Sequence, residues 1–136
     1  ARAGAAYVDV SAKSVAAAKA FGAKAIVSEH LLDRAAPYDE AVSIFSRQRS
    51  MGADVVKLVA RMDTAEEFAE AKRVMAYLRD EFDCPWIYLG LGAFGFEQRF
   101  LGFEYGCAME FALHRPFPNK KDQPLICDFV ERKESV

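Results

Sequence analysis

The sequence predicts a parallel α/β fold assembled from repeating strand–helix units. Short runs of apolar and β-branched residues recur along the chain, as in Ala53-Asp-Val-Val-Lys-Leu-Val59. Between them lie longer stretches with helical spacing and recognisable start and stop residues. The strict alternation of the two implies parallel strands joined by helical crossovers, and the nearly continuous apolar character of the runs suits strands covered on both faces. Two architectures accommodate this pattern. One is a five-stranded doubly wound sheet; the other is part of an eight-stranded (β/α) barrel, whose complete form takes about 250 residues. The chain has 136 residues.

Each element has its own warrant. Residues 6–10 (Ala-Tyr-Val-Asp-Val) form the first expected strand, and Ser11 is placed to cap an Ala- and Lys-rich helix that Gly22 terminates. The second strand covers residues 23–28, followed by a loop to Pro37, which suits the first turn of a helix over residues 38–51. Ala41, Val42, Ile44 and Phe45 lie on one side of that helix, and Gly52 ends it. The third strand is residues 53–59. Asp63-Thr64-Ala-Glu-Glu67 opens the next helix with a capping-box pattern and an acidic first turn that complements the helix dipole. That helix runs to about Asp83, with Phe68, Ala71, Val74, Met75 and Leu78 at helical spacing. Residues 84–89 give a fourth strand, with Pro85 tolerated at its beginning. A glycine-rich loop over residues 90–95, a short helix, a fifth strand over residues 107–113, a basic loop over residues 114–122 and a closing helix over residues 123–134 complete the chain.

Composition narrows the function classes. Lys and Arg number 18 against 20 Asp and Glu, a net charge of -2, so the segment carries no electrostatic footprint for direct contact with nucleic acid. No uncharged apolar run approaches the roughly 20 residues that span a bilayer, and the opening Ala1-Arg-Ala-Gly has no secretory-signal pattern. The small residues at the start resemble the tail of a helix begun earlier. Cys84, Cys107 and Cys127 are odd in number and widely spaced, which argues against a disulfide framework or a zinc finger and for buried free thiols in a reducing compartment.

In either architecture, function sits at the carboxyl ends of the strands. The polar residues there are Asp9 and Ser11; Ser28, Glu29 and His30; Lys57; Arg99; and His114 with Arg115. Lys57 is the most informative. It lies inside Val-Val-Lys-Leu-Val and must partly leave water. Burial disfavours the ammonium, and the neutral amine is the nucleophile of Schiff-base chemistry; an edge-strand Lys whose head reaches solvent is the alternative. His30, near the mouth of the neighbouring strand, is suited to moving a proton or to a structural hydrogen bond. Gly90, Gly92 and Gly95 could present backbone N–H groups to an anion, but they do not make the dinucleotide pattern. Arg99 has the fork that suits a carboxylate, or it pairs with Glu97 or Glu104. No nucleophile elbow, zincin motif or Walker loop is present, and two His with three scattered Cys make a metal site improbable.

Three segments, in order, resemble the type I 3-dehydroquinate dehydratases: Val27-Ser28-Glu29-His30, Ala53-Asp54-Val55-Val56-Lys57 and Gly92-Ala93-Phe94-Gly95-Phe96-Glu97-Gln98-Arg99. Tyr7-Val8-Asp9-Val10 is similar to the family's strand before the His strand. The resemblance implies the C-terminal part, about five βα units, of a (β/α)8 TIM-type barrel, with residues 1–136 a partial domain that lacks the N-terminal strands. It implies a lyase of the shikimate or quinate pathway: Lys57 as the Schiff-base residue, His30 as proton carrier, Arg99 as the grip on the substrate carboxylate and Gln123 as the closing-loop glutamine. The implied ligand is a small cyclic hydroxy acid of the dehydroquinate kind, with no metal and no organic cofactor. The implied setting is cytoplasmic, with no membrane partner. Open barrel edges would permit self-association. This sequence departs from the family at Ser11, where a Glu is usual, and at Leu31, Gln98 and Cys107. The loss of the Glu suits an alternative, the catalytically inactive, nuclear, dehydratase-like domain of a fungal quinate-pathway repressor.

Overall fold

The computed structural model describes residues 4–118 and 123–134. Four parallel strands form one sheet: β1 (Tyr7–Val10), β2 (Lys24–Leu31), β3 (Val55–Arg61) and β4 (Trp86–Leu91). They are joined in the order β1-β2-β3-β4. A doubly wound sheet reverses its strand order at a switch point, whereas a barrel adds each strand beside the last. The sequential order is therefore the barrel's.

The helices are α1 (Val15–Ala20), α2 (Tyr38–Ser50), α3 (Ala65–Asp80), α4 (Gly95–Glu104) and α5 (Ile126–Glu134). Ser11 precedes a 3-10 turn over Ala12–Ser14 and makes no side-chain cap. Gly22 and Gly52 follow α1 and α2 at φ 74° and 87°, a conformation that penalises any residue with a Cβ. Thr64 and Glu67 close the expected capping box at the start of α3, which ends at Asp80 rather than near Asp83.

Alternation divides the strand residues between two cores. Ala25, Val27, Val56, Leu58, Ala60, Trp86 and Tyr88 face the helices. They pack with Ile44 and Phe45 of α2 and Val74, Met75 and Leu78 of α3. Phe45 sits at the centre, edge-on to Tyr88 at 5.8 Å and to Phe82 at 6.4 Å between ring centroids. Ile26, Val55, Val59, Ile87 and Leu89 face the other way and form a second, smaller cluster.

The second cluster is covered by the segment expected to be a fifth strand. Residues 107–113 do not join the sheet. The Ala108 N–H donates to the Trp86 carbonyl at 2.8 Å, as a strand beside β4 would begin, and the segment then leaves the ladder. Cys107 and Met109 lie over the inner face, and Leu113 forms only an isolated bridge with Leu125. The reason is physical. A ladder on one side gives this segment half the pairing of an interior barrel strand, and Glu110 at its centre disfavours a strand. Covering Ile87 and Leu89 with apolar side chains is the stronger gain. The sequence-based count of about five βα units thus becomes four strands and a covering segment.

Cys84 is buried, Cys107 half-buried and Cys127 exposed, so the expectation of buried thiols holds for the first alone without qualification. Among the described residues no helix is long and apolar enough to cross a membrane. The basic loop over residues 114–122 lies partly outside the described residues, as does the opening over residues 1–6 that was expected to be the tail of a helix.

Truncating Phe45, which is 0% exposed, to Ala should lower the free energy of unfolding by about 3–5 kcal/mol. Phe21→Ala, at a side chain 71% exposed, should change it by no more than about 0.5 kcal/mol. Urea titration of the two variants beside the parent measures both.

Candidate active site

The inner face of the sheet carries a polar row among its apolar residues. On β3, Val55, Lys57, Val59 and Arg61 alternate with residues that face the helices. Lys57 is 6% exposed. Its backbone is held from behind by the buried Gln48 of α2: the Lys57 N–H donates to Gln48 Oε1 at 3.0 Å, and Gln48 Nε2 donates to the Lys57 carbonyl at 2.8 Å. A strand held on both backbone groups presents its side chain in one direction.

The Lys57 ammonium has a defined setting. Its Nζ lies 2.6 Å from Asp9 Oδ2 on β1, reached across β2. Asp9 also accepts the Ser28 hydroxyl at 2.5 Å. The Phe111 ring lies over Nζ at 4.6 Å from its centroid. Burial resists ionisation of Asp9, but the hydrogen bonds from Lys57 and Ser28, with the charges of Lys57 and His30, outweigh it and hold its carboxyl below the usual range. A charge-assisted pair with a ring on its third side meets the cost of placing an ammonium away from water.

His30 is on the same face but not level with Lys57. In the β2–β3 register Ser28 stands opposite Lys57, and His30 stands opposite Val59. The imidazole is therefore one inner row nearer the carboxyl end of the strands, exposed at the mouth, and close enough for its charge to act on Asp9. The intervening Glu29 points to the other side and pairs with Arg47 of α2 at 2.6 Å.

Arg99 belongs to α4 and is 4% exposed. The surface pairings considered for it, with Glu97 and Glu104, are made instead by Arg132 of α5 at 3.3 and 3.4 Å. Arg99 Nη1 donates to the Phe111 carbonyl at 3.4 Å. Phe111 thus touches both cations of the site, Lys57 through its ring and Arg99 through its backbone. Gln123 lies just ahead of α5. Among the described residues no hydrogen bond or ion pair joins it to Lys57, His30 or Arg99.

The glycine-rich loop is not an anion cradle. The Ala93 N–H donates to Asp63 Oδ1 at 3.0 Å, the Phe94 N–H to the Met62 carbonyl at 3.1 Å and the Gly95 N–H to the Gly92 carbonyl at 3.1 Å. Gly90 belongs to β4, and its N–H donates to Gln98 Oε1. These donors close the β4–α4 turn. Gly92 is required there, since φ is +84° and a Cβ would lie 2.3 Å from Asp63 Oδ1. Among the described residues no cluster of His, Cys, Asp and Glu could hold a metal ion.

Asp9 and Phe111 make contacts with Lys57 that pattern reading did not assign. Asp9 was visible as a polar strand residue but not as the counter-ion of Lys57, because their pairing depends on register across two strand boundaries. Glu110 and Phe111 lie in the segment read as a strand. Their signal is an acid inside Cys-Ala-Met-Glu-Phe-Ala-Leu, the same kind of interruption that singled out Lys57.

The sequence profile of the family described as Type I 3-dehydroquinase matches residues 1–124. The chain belongs to the type I 3-dehydroquinase family. It is 29% identical over 92 residues to the 3-dehydroquinate dehydratase of Alkaliphilus oremlandii, covering 67% of this chain and 36% of that one. It is 26% identical over 101 residues to that of Aromatoleum aromaticum, covering 74% and 39%. This type I 3-dehydroquinase chain thus spans well under half the length of these curated relatives. Among solved structures, the type I 3-dehydroquinate dehydratase of Clostridium difficile, with covalently modified comenic acid, superposes at a TM-score of 0.84 with 18% identity. The match covers 96% of this chain and 56% of that one. The Geobacillus kaustophilus enzyme gives 0.81 with 20% identity over 92% and 51%. These likenesses establish the fold as part of the family's barrel.

A carboxyl held below its usual range when folded contributes stability above its ordinary value near 3.8, and that contribution is lost as pH falls through the lowered folded value. The melting temperature should therefore fall on acidification below about pH 4. In Asp9→Asn this component should be absent, and the variant should be less stable at neutral pH because Lys57 loses its counter-charge. Melting curves of both proteins from acid to neutral pH check the sign.

Proposed function

We propose that this chain carries the Schiff-base part of a 3-dehydroquinate dehydratase site and takes part in converting 3-dehydroquinate to 3-dehydroshikimate. The observation that carries this reading is Lys57: a buried lysine on the inner face of a barrel strand, with its backbone clamped and its amine paired to Asp9. Residues 1–136 would then act as a partial barrel domain whose four strands stand beside others in the working enzyme.

The chemistry follows from the groups present. The Lys57 amine, after giving up a proton, attacks the ketone carbon of the substrate; water leaves and a cationic imine forms. The imine draws electron density from the neighbouring carbon and acidifies its C–H. His30, at the mouth beside the inner row, takes that proton, and the electron pair passes through the imine's enamine form to expel the hydroxyl. His30 returns the proton to the leaving oxygen, so that water departs. Hydrolysis of the remaining imine regenerates the amine. Arg99 matches the substrate carboxylate in charge and fork geometry, and Gln123 belongs to the segment that would close over the ligand. The ring of Phe111 over Lys57 keeps water from the nucleophile.

Borohydride treatment with 3-dehydroquinate should reduce the imine and leave a mass increase on the peptide containing Lys57. Lys57→Met should show none. His30→Ala should still trap the adduct while losing roughly 10²–10⁴-fold in turnover, the usual contribution of a positioned acid–base group. An adduct that forms elsewhere, or does not form in the parent protein, overturns the assignment.

A further inference from the structure

The proposed chemistry leaves one charge without a stated partner. Once Lys57 has condensed with a ketone, its nitrogen carries the positive charge of the imine, at the place where the ammonium stood. Burial disfavours that charge, and a neutral imine is a weak electron sink. What surrounds Nζ therefore decides how well the imine draws electrons from the neighbouring carbon.

Among the described residues, two groups meet Nζ. Asp9 Oδ2 lies 2.6 Å away, and the Phe111 ring lies beside it with its centroid at 4.6 Å. A carboxylate and the face of an aromatic ring both favour a cation. Asp9 is fixed in turn: its other oxygen, Oδ1, accepts the Ser28 hydroxyl at 2.5 Å, which leaves Oδ2 to the nitrogen. The carboxylate approaches from below. Asp9 pairs with Ile26 in the β1–β2 register, and Ile26 pairs with Val55, one inner row beneath Lys57. His30 stands one inner row above, opposite Val59. Counter-charge and proton carrier thus flank Lys57 on opposite sides along the strands.

We propose that Asp9 is a catalytic residue of the Lys57 site: its carboxylate, oriented by Ser28, is the counter-ion that keeps the Lys57 imine in its cationic form. This rests on the reading of Lys57 as the Schiff-base residue. The nitrogen carries one positive charge in the resting ammonium and again in the cationic imine, so one carboxylate serves both states. It stays ionised, and no proton passes to it. Against burial, the hydrogen bonds from Lys57 and Ser28 hold its carboxyl below the usual range.

The other charged and titratable groups around the row are engaged elsewhere. On β2, Lys24 lies over the Tyr7 ring at 5.5 Å, and Glu29 pairs with Arg47 of α2. Further along β3, Arg61 pairs with Asp63 at 2.5 Å. β4 contributes Ile87, Leu89 and Leu91 to this face. In the covering segment, burial pushes the Cys107 thiol up to about 12, and the Glu110 carboxyl lies against Gly102 of α4. Arg99 of α4 reaches the Phe111 carbonyl. His30 is the remaining titrating group, and the test includes it.

Sodium cyanoborohydride is the suitable probe, because near and above neutrality it delivers hydride to a cationic imine and spares a neutral imine or a ketone. With 3-dehydroquinate present, the parent should acquire the reduced adduct on Lys57, read by peptide mass, and the yield should hold into alkaline pH before it falls. In Asp9→Asn the midpoint of that fall should move down by about 1–3 pH units, the range for loss of an opposite charge in contact. Asp9→Glu should restore it at least in part. Ser28→Ala keeps the charge but loses its orientation; it should move the midpoint the same way by less, and it carries the test should Asp9→Asn not fold. Borohydride, which reduces imines without that restriction, should trap parent and Asp9→Asn alike, which separates imine formation from imine charge. A midpoint shared by the parent and both variants overturns the proposal while leaving Lys57 as the Schiff-base residue. A midpoint that moves with His30→Ala and not with Asp9→Asn belongs to His30 and overturns it likewise. No adduct on Lys57 with either reductant overturns the Schiff-base reading and this proposal with it.

Discussion

A parallel sheet cannot leave either face in water, and this constraint organises the whole chain. Its crossover helices cover one face as a consequence of connectivity. The other face looks toward the lumen of a barrel, and in this structure part of its cover comes from the chain itself. Residues 107–113 supply it. By leaving the ladder after one strand-like hydrogen bond, they bring Cys107 and Met109 onto the inner apolar cluster and Phe111 onto Lys57. The shape of the candidate site therefore follows from how the inner face is kept dry.

The same constraint gives Lys57 its character. An ammonium in this position must be paired, and the pair comes from β1 across an intervening strand, with Ser28 of β2 orienting the carboxylate. The ion pair thus ties three strands together at the level of Ser28 and Lys57. Membership of the type I 3-dehydroquinase family and the barrel superpositions concern the fold that carries this arrangement. Ser11 is an exposed hydroxyl at the start of a 3-10 turn, and Asp9 is the acid of that strand that reaches the inner row.

Much of the local structure was legible because its causes are local. The capping box at Thr64 and Glu67, the helix stops at Gly22 and Gly52 and the four apolar strands each depend on a few neighbouring residues. The errors share a cause. The fifth strand, the anion-binding loop and the position of His30 relative to Lys57 each depend on partners distant in sequence. Residues 107–113 have strand composition yet lack a second neighbour. The amides of the glycine-rich loop are consumed by Asp63, Met62 and Gly92. Register between β2 and β3 sets His30 one row above Lys57.

The sequence by itself determined the alternation of strands and helices, the identity of the cations at the strand ends and, through three ordered motifs, the family. Those follow from residue types and their spacing. Only the tertiary structure decided between a doubly wound sheet and a barrel arc, because strand order is a property of how crossovers fold back and not of any one segment. It also decided that Lys57 is an ion-paired amine under an aromatic ring, that Arg99 is buried, and that the Glu110 carboxyl is buried as well. Burial and charge pairing arise between residues as far apart as Asp9 and Lys57, and no periodicity along the chain encodes that distance.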